Sequence, residues 1–128
     1  MASPLPQEIE ELAEKIIGAC IAVHRALGPG LLEIIYARAL ALELAACGIP
    51  FEVEKSYPVF YRDSLLCHQR LDLLVAGQIV VEVKSVERLS SVHVAQVLSY
   101  LHLANVRLGL LINFNEYTLK GGLRRVIL

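Results

Sequence analysis

Apolar residues recur at helical spacing over Ile9, Leu12, Ile16, Cys20, Val23 and Leu27, so the chain is expected to open with a helix from about Gln7 to Leu27. Gly28-Pro29-Gly30 stops it, with glycine after the last turn and proline just beyond. A second helix is expected over about 32–47, with Gly48 past its end and Pro50 preventing resumption. At Phe51 the period falls from 3.6 to 2. Phe51, Val53 and Lys55 alternate with Glu52, Glu54 and Ser56, as in a half-buried strand, which Val59 to Tyr61 extends or follows. Asp63-Ser64 reads as a turn and 65–75 as a second long strand. Ala76-Gly77-Gln78 turns tightly into 79–86, where Ile-Val-Val-Glu-Val-Lys-Ser-Val is apolar on both faces except at Glu82 and Lys84. Such a run belongs at the centre of a sheet. Ser90 or Ser91 can cap a helix running to about Ala104. A buried strand over 107–112 and a short last one over 124–128 follow.

The order α-α-β-β-β-β-α-β-(β) implies an α/β fold, a mixed central sheet flanked by helices. One domain is expected over 1–128, with the two N-terminal helices at about 7–47 and the sheet and core helix at about 49–128. No repeat, low-complexity tract or linker interrupts it.

Composition adds two constraints. The chain is 55% hydrophobic with a mean hydropathy of +0.55, so either the sheet is covered on both faces or a partner covers some apolar surface. A homodimer is the expected form of that partner. Net charge is −1, yet residues 1–54 hold eight acids and three bases, and residues 55–128 hold five acids and nine bases. The basic half can present one face to a phosphate backbone.

Cys20, Cys47 and Cys67 lie far apart without CxxC spacing and read as small core residues in a reducing compartment. Glu8, Glu10, Glu11 and Glu14 are unlike an export signal, and no uncharged apolar run approaches a membrane span. A cytoplasmic protein with no membrane partner is expected. There is no GxxxxGK[ST] phosphate loop and no GxSxG elbow.

The chemistry concentrates where the apolar strand is interrupted. A hairpin turning at Gly77 brings Asp72 beside Glu82. Glu82 and Lys84 are two apart on one strand and share a face, while Ile79, Val81 and Val83 point to the other. Two carboxylates and an ammonium thus meet within an apolar sheet. They can form a structural ion pair, Lys84 with Glu82 or Asp72 and Arg70 with the second acid. They can equally form a metal site, since Mg²⁺ prefers hard oxygen ligands and keeps several waters. Lys84 would then polarise the attacking water or stabilise charge on phosphate.

Asp72 followed by Glu82-Val83-Lys84 resembles the D…ExK core of the PD-(D/E)XK superfamily. Gly30-Leu31-Leu32-Glu33-Ile34-Ile35-Tyr36 resembles the signature of its GxxExxY family, as do His24 to Pro29, Tyr57-Pro58-Val59, Arg70-Leu71-Asp72, Gln96 to Leu101 and Gly109 to Phe114. The similarity spans about residues 8–127. It implies a restriction-endonuclease-like core and a metal-dependent nuclease cutting phosphodiester bonds, with DNA as the expected partner. A catalytically weak or inactive module that binds nucleic acid or protein is the alternative.

The same resemblance implies roles. Asp72 and Glu82 would hold Mg²⁺, with Mn²⁺ as substitute, aided by the Val83 carbonyl and by Glu33, directly or through water. Lys84 would be the catalytic lysine. Gln96 and Tyr100 match a QxxxY element that contacts substrate or supports the site, and at i, i+4 they share a helix face. Each has a plainer reading. Glu33 near a helix start favours the dipole, Tyr36 one turn on can pack or support the site, and Gln96 and Tyr100 can be an ordinary polar group and a core residue. His24 near a helix end reads as a cation favouring the dipole. His68, His93 and His102 share no metal-ligand spacing, and Asn113 and Asn115 read as strand-end turn residues.

Overall fold

The computed structural model describes residues 4–128, so residues 1–3 of the expected 1–128 domain lie outside it. Helices α1 (Gln7–Leu27) and α2 (Glu33–Ala46) are followed by strands β1 (Phe51–Val53), β2 (Ser56–Tyr61), β3 (Ser64–Arg70), β4 (Leu73–Val75) and β5 (Ile79–Lys84). Helix α3 (Ser91–Ala104), β6 (Leu108–Asn113), the single turn α4 (Leu119–Gly122) and β7 (Leu123–Ile127) complete the chain. Among the described residues no helix is long and apolar enough to cross a membrane.

Five strands form a mixed sheet in the order β1-β4-β5-β6-β7. Only β5 and β6 are parallel, with Val81 opposite Leu110, and α3 is the crossover that parallel neighbours require. This accounts for the reading of β5 as a central strand. Its odd positions Ile79, Val81 and Val83 join the core beneath α1 and α2, and Val80 joins the core beneath α3. Helices cover both faces, which accounts for much of the high apolar content.

The expected first and second strands are each cut in two. The segment read as one strand over 65–75 is β3 and β4, and the alternation begun at Phe51 is split into β1 and β2. β1 and β4 belong to the main sheet, whereas β2 and β3 pair only with each other and stand off the body as an antiparallel arm. The break falls at Glu54, whose φ is +51, and opposite it at Leu71 and Asp72. The ladder still bridges the bend: the Glu54 N–H donates to the Asp72 carbonyl at 2.9 Å and the Leu71 N–H to the Lys55 carbonyl at 3.2 Å. No glycine or proline marks the bend, so the apolar pattern runs through it. Nor does β1 follow the half-buried pattern, since Val53 is exposed at the sheet edge.

Three polar or thiol readings also change. Cys20 is buried, and burial pushes its thiol up to about 12, but Cys47 and Cys67 are exposed because α2 ends at Ala46 and β3 lies on the arm. His24 is buried, its Nε2 bonded to the Glu116 carbonyl at 2.7 Å, so it ties α1 to the loop after β6 rather than facing solvent. His93 serves as a cap, its Nδ1 accepting the Ser90 N–H at 3.0 Å at the start of α3.

Candidate metal and catalytic site

The main-sheet ladder between β4 and β5 runs from Val75–Ile79 to Leu73–Val81 and then gives way to side chains. The Asp72 N–H donates to Glu82 Oε1 at 2.8 Å, and the Val83 N–H donates to Asp72 Oδ2 at 2.8 Å. Each carboxylate therefore takes the place that a facing strand carbonyl would fill. One oxygen of each acid is fixed by backbone, and the two carboxyls also hydrogen-bond to each other. In a strand residue the N–H and C=O leave toward the same neighbour, so the Val83 carbonyl is directed to the Asp72 edge as well.

Glu82 is buried and Asp72 half-buried. Burial, and then the charge of Asp72, push the Glu82 carboxyl up to about 8. Burial also raises Asp72, against the lowering effect of the Val83 N–H. The Lys84 charge acts on both acids in the lowering direction but is not the leading influence on either. Among the described residues neither Lys84 nor Arg70 forms an ion pair with Asp72 or Glu82 within 4.0 Å, whereas Lys55 pairs with Glu52 and Arg125 with Glu10. The structural ion-pair reading therefore has no counterpart here. Arg70 is exposed on β3.

Glu33 arrives from the other side of the sheet. It is the first residue of α2, and its Oε1 accepts the Ser85 N–H at 3.3 Å, just past Lys84. Its charge bears on Asp72 in the raising direction, so the two acids are near neighbours. The joint before α2 makes this placement. Gly28 and Gly30 have φ of +69 and +100, a region open to glycine at little cost. The Tyr36 hydroxyl donates to the Gly28 carbonyl and accepts the Leu31 N–H at 3.1 Å. The ring is fully buried and stacked on Phe114 with centroids 4.7 Å apart. Ser85 Oγ donates to the Leu31 carbonyl, closing the joint onto the end of β5. Tyr36 is thus a fastener for the loop that carries Glu33, packed away from any ligand.

Gln96 and Tyr100 come from α3, on the sheet face that carries Glu82. Tyr100 is buried. Desolvation and then the charges of Glu82 and Asp72 raise its hydroxyl, so it lies near both acids, while a hydrogen bond with Gln96 acts in the opposite sense. Gln96 and Tyr100 line a cleft of about 370 Å³ with Val59 and Gln69 of the arm. On the other side of Asp72, a cavity of about 200 Å³ separates α2 from β1, with Arg38 and Glu54 among its walls.

Two side chains that build the site were read in part or passed over. Asn113 is the strand-end residue expected, ending β6 with its Oδ1 accepting the Asn115 N–H at 3.2 Å, but it is also fully buried. Its Oδ1 accepts the Val86 N–H at 3.0 Å and its Nδ2 donates to the Val86 carbonyl at 2.9 Å, while the Phe114 N–H holds the Lys84 carbonyl at 2.9 Å. These bonds fix the chain where it leaves the site. Ser85 does the same toward Glu33. Only adjacency to Lys84 could have flagged Ser85, and nothing local could have flagged Asn113.

The donor set suits a hard cation. Two adjacent carboxyls, a main-chain carbonyl and a third acid nearby are oxygen ligands of the kind Mg²⁺ or Mn²⁺ takes. Burial raises both acids and the Asp72 charge raises Glu82 further, with no cation within 4.0 Å of either, and a divalent ion would offset that cost. Among the described residues no three His, Cys, Asp or Glu side chains converge tightly enough to form a ligand cluster, so any ion here would keep waters in its shell.

A family model described as the PD-(D/E)XK nuclease superfamily matches residues 10–126. Among curated proteins and solved structures, none matches the chain.

Proposed function

The chain belongs to the PD-(D/E)XK nuclease superfamily, and from that membership together with the Asp72–Glu82–Lys84 geometry we propose that it is a metal-dependent nuclease acting on nucleic acid, with DNA as substrate. The observation that carries this reading is the reciprocal anchoring of Asp72 and Glu82, which holds the two carboxyls side by side two residues from Lys84. The Gly30–Glu33–Tyr36 arrangement supports placement in the GxxExxY branch.

Asp72 and Glu82 would hold Mg²⁺, or Mn²⁺ in its place, with the Val83 carbonyl as a third donor and Glu33 reaching the ion through water. A bound divalent ion supplies positive charge against the scissile phosphate. Lys84, half-exposed and two residues from Glu82 on the same strand face, would stabilise charge on a phosphate oxygen or polarise the attacking water. Water adds to phosphorus, the ester P–O bond breaks, and the departing oxygen takes a proton. Gln96 and Tyr100 form the wall of the approach. The single domain and a cytoplasmic location are part of this reading. The latter is supported by the three unpaired cysteines.

One observation favours a second reading, a nucleic-acid-binding or protein-interaction module without turnover. Among the described residues the acids do not converge into a three-ligand cluster. Cleavage of labelled linear, circular and single-stranded DNA with Mg²⁺ or Mn²⁺, by wild type and Lys84→Ala together, separates the two. Cleavage lost in the variant supports the nuclease; no cleavage by wild type on any DNA or RNA supports the module.

A further inference from the structure

We propose that the β2–β3 arm is a nucleic-acid grip that holds the substrate on one side of the carboxylate site; this rests on the nuclease reading and names the surface that meets the substrate.

The arm has the composition of such a surface. Its tip exposes Phe60 (60%), Tyr61 (66%), Leu65 (52%) and Leu66 (62%), more large apolar side chains than a free hairpin has reason to show. Aromatic side chains stack on bases, and Phe or Leu can wedge between base steps. Three of the eight aromatic residues in the chain, Tyr57, Phe60 and Tyr61, fall within β2. Residues 55–70 carry three bases and one acid in a chain of net charge −1. Lys55 is committed to Glu52 at 3.2 Å, which leaves Arg62 at the tip and Arg70 at the root as the cations available to phosphate.

The turn adds a separate observation. Arg62 and Asp63 both have positive φ, at +50 and +63, as a two-residue type I′ turn requires. Asn-Gly would adopt that turn at less cost. The chain instead holds an arginine in a left-handed conformation at the far end of the arm. Strain of this kind marks positions kept for something other than stability.

The arm is also in the right place. β2 and β3 pack chiefly on each other, apart from Tyr57 against the α3-side core, so the tip stands free of the body. The root runs into Asp72 through the bonds at Glu54 and Leu71. Six residues of β2 reach about 20 Å at roughly 3.3 Å per residue. That spans about six nucleotide steps of about 3.4 Å.

The test is fluorescence anisotropy without added metal, so that nothing is cut, using labelled oligonucleotides of increasing length, single-stranded and duplex. The variants are Arg62→Asn with Arg70→Gln, and Phe60→Ser with Tyr61→Ser. Arg62→Asn suits the turn better than arginine, so a folding defect does not explain a loss of binding. Each double variant is expected to weaken binding about tenfold or more, and the arginine pair to lower the salt slope by about 2. Mn²⁺ binding at the carboxylates stays unchanged in both. Affinity of the wild type should climb with length and level off once about six nucleotides lie beside the cut. Equal binding by wild type and variants overturns the arm proposal and leaves the nuclease reading standing. A wild type that binds no nucleic acid removes both. Variants that bind normally but lose self-association by light scattering would show the arm to be a contact between two copies of the chain, and would overturn the proposal.

Discussion

Asp72 and Glu82 are tied to each other's strands, the Asp72 N–H donating to Glu82 Oε1 and the Val83 N–H to Asp72 Oδ2, both at 2.8 Å. Main chain from one strand fixes the acid of the other, so neither carboxylate can move without disturbing the pairing of β4 and β5. The same arrangement holds two acids close together under burial, and pH dependence follows from it.

In metal-free protein the folded state keeps the Glu82 proton up to about pH 8, whereas an ordinary glutamate releases it near 4.5. Between those values the folded state binds more protons than the unfolded, so stability falls as pH rises. Thermal melts in EDTA should show the midpoint dropping across this window, and Glu82→Gln should flatten the drop. Metal must displace that proton, so the apparent Mn²⁺ affinity should tighten as pH rises toward 8. A midpoint independent of pH in EDTA would mean that Glu82 titrates as a surface acid.

Lys84→Ala should cost cleavage about 10²-fold or more, the scale of losing one preorganised charge at a transition state. Lys84 has no ion pair within 4.0 Å among the described residues, so melting should change little. Cleavage rates and melts on the same preparation check this, and a large drop in melting temperature would reassign Lys84 to the fold.

Tyr36→Phe keeps the ring on Phe114 and removes the hydroxyl from Gly28 and Leu31. A loss of about 1–2 kcal/mol is expected from one unsatisfied buried group. Since the joint carries Glu33, metal affinity should weaken with it. Urea titration and Mn²⁺ binding separate the two effects; unchanged metal affinity would make Tyr36 a matter of stability alone.

Asn113→Ala strips the Val86 N–H and the Asn115 N–H of their acceptor and leaves the Val86 carbonyl with Asn115 Nδ2 alone. About 2 kcal/mol of stability should be lost. Cleavage should fall further than stability accounts for at temperatures where the variant is folded, because the chain leaving Lys84 is loosened. Comparing kcat with the folded fraction at each temperature is the check.

Helices α1 and α3 and strand β5 were legible because their burial is periodic or continuous and their ends carry Gly28, Ser90 and Gly77. The central acids and lysine were legible because charge inside an apolar strand is conspicuous. The bend at Glu54 and Asp72 was not, since β2 and β3 continue the same two-residue alternation through it and only a left-handed φ at Glu54 betrays the turn. The burial of His24 and Asn113 was hidden for a different reason. Asn113 makes the local turn bond to Asn115, but its bonds to Val86 and that of His24 to Glu116 span 27 and 92 residues, and no local spacing encodes a bond of that range.

The two hydrogen bonds at the bend, Glu54 to Asp72 and Leu71 to Lys55, make the arm and the acid one mechanical piece. Tyr57 packed on the α3-side core, and Val59 and Gln69 facing α3 across the cleft, hold the same strands from the other side. The root of the arm is therefore a braced corner rather than a free hinge, and the backbone of Asp72 is one of its struts.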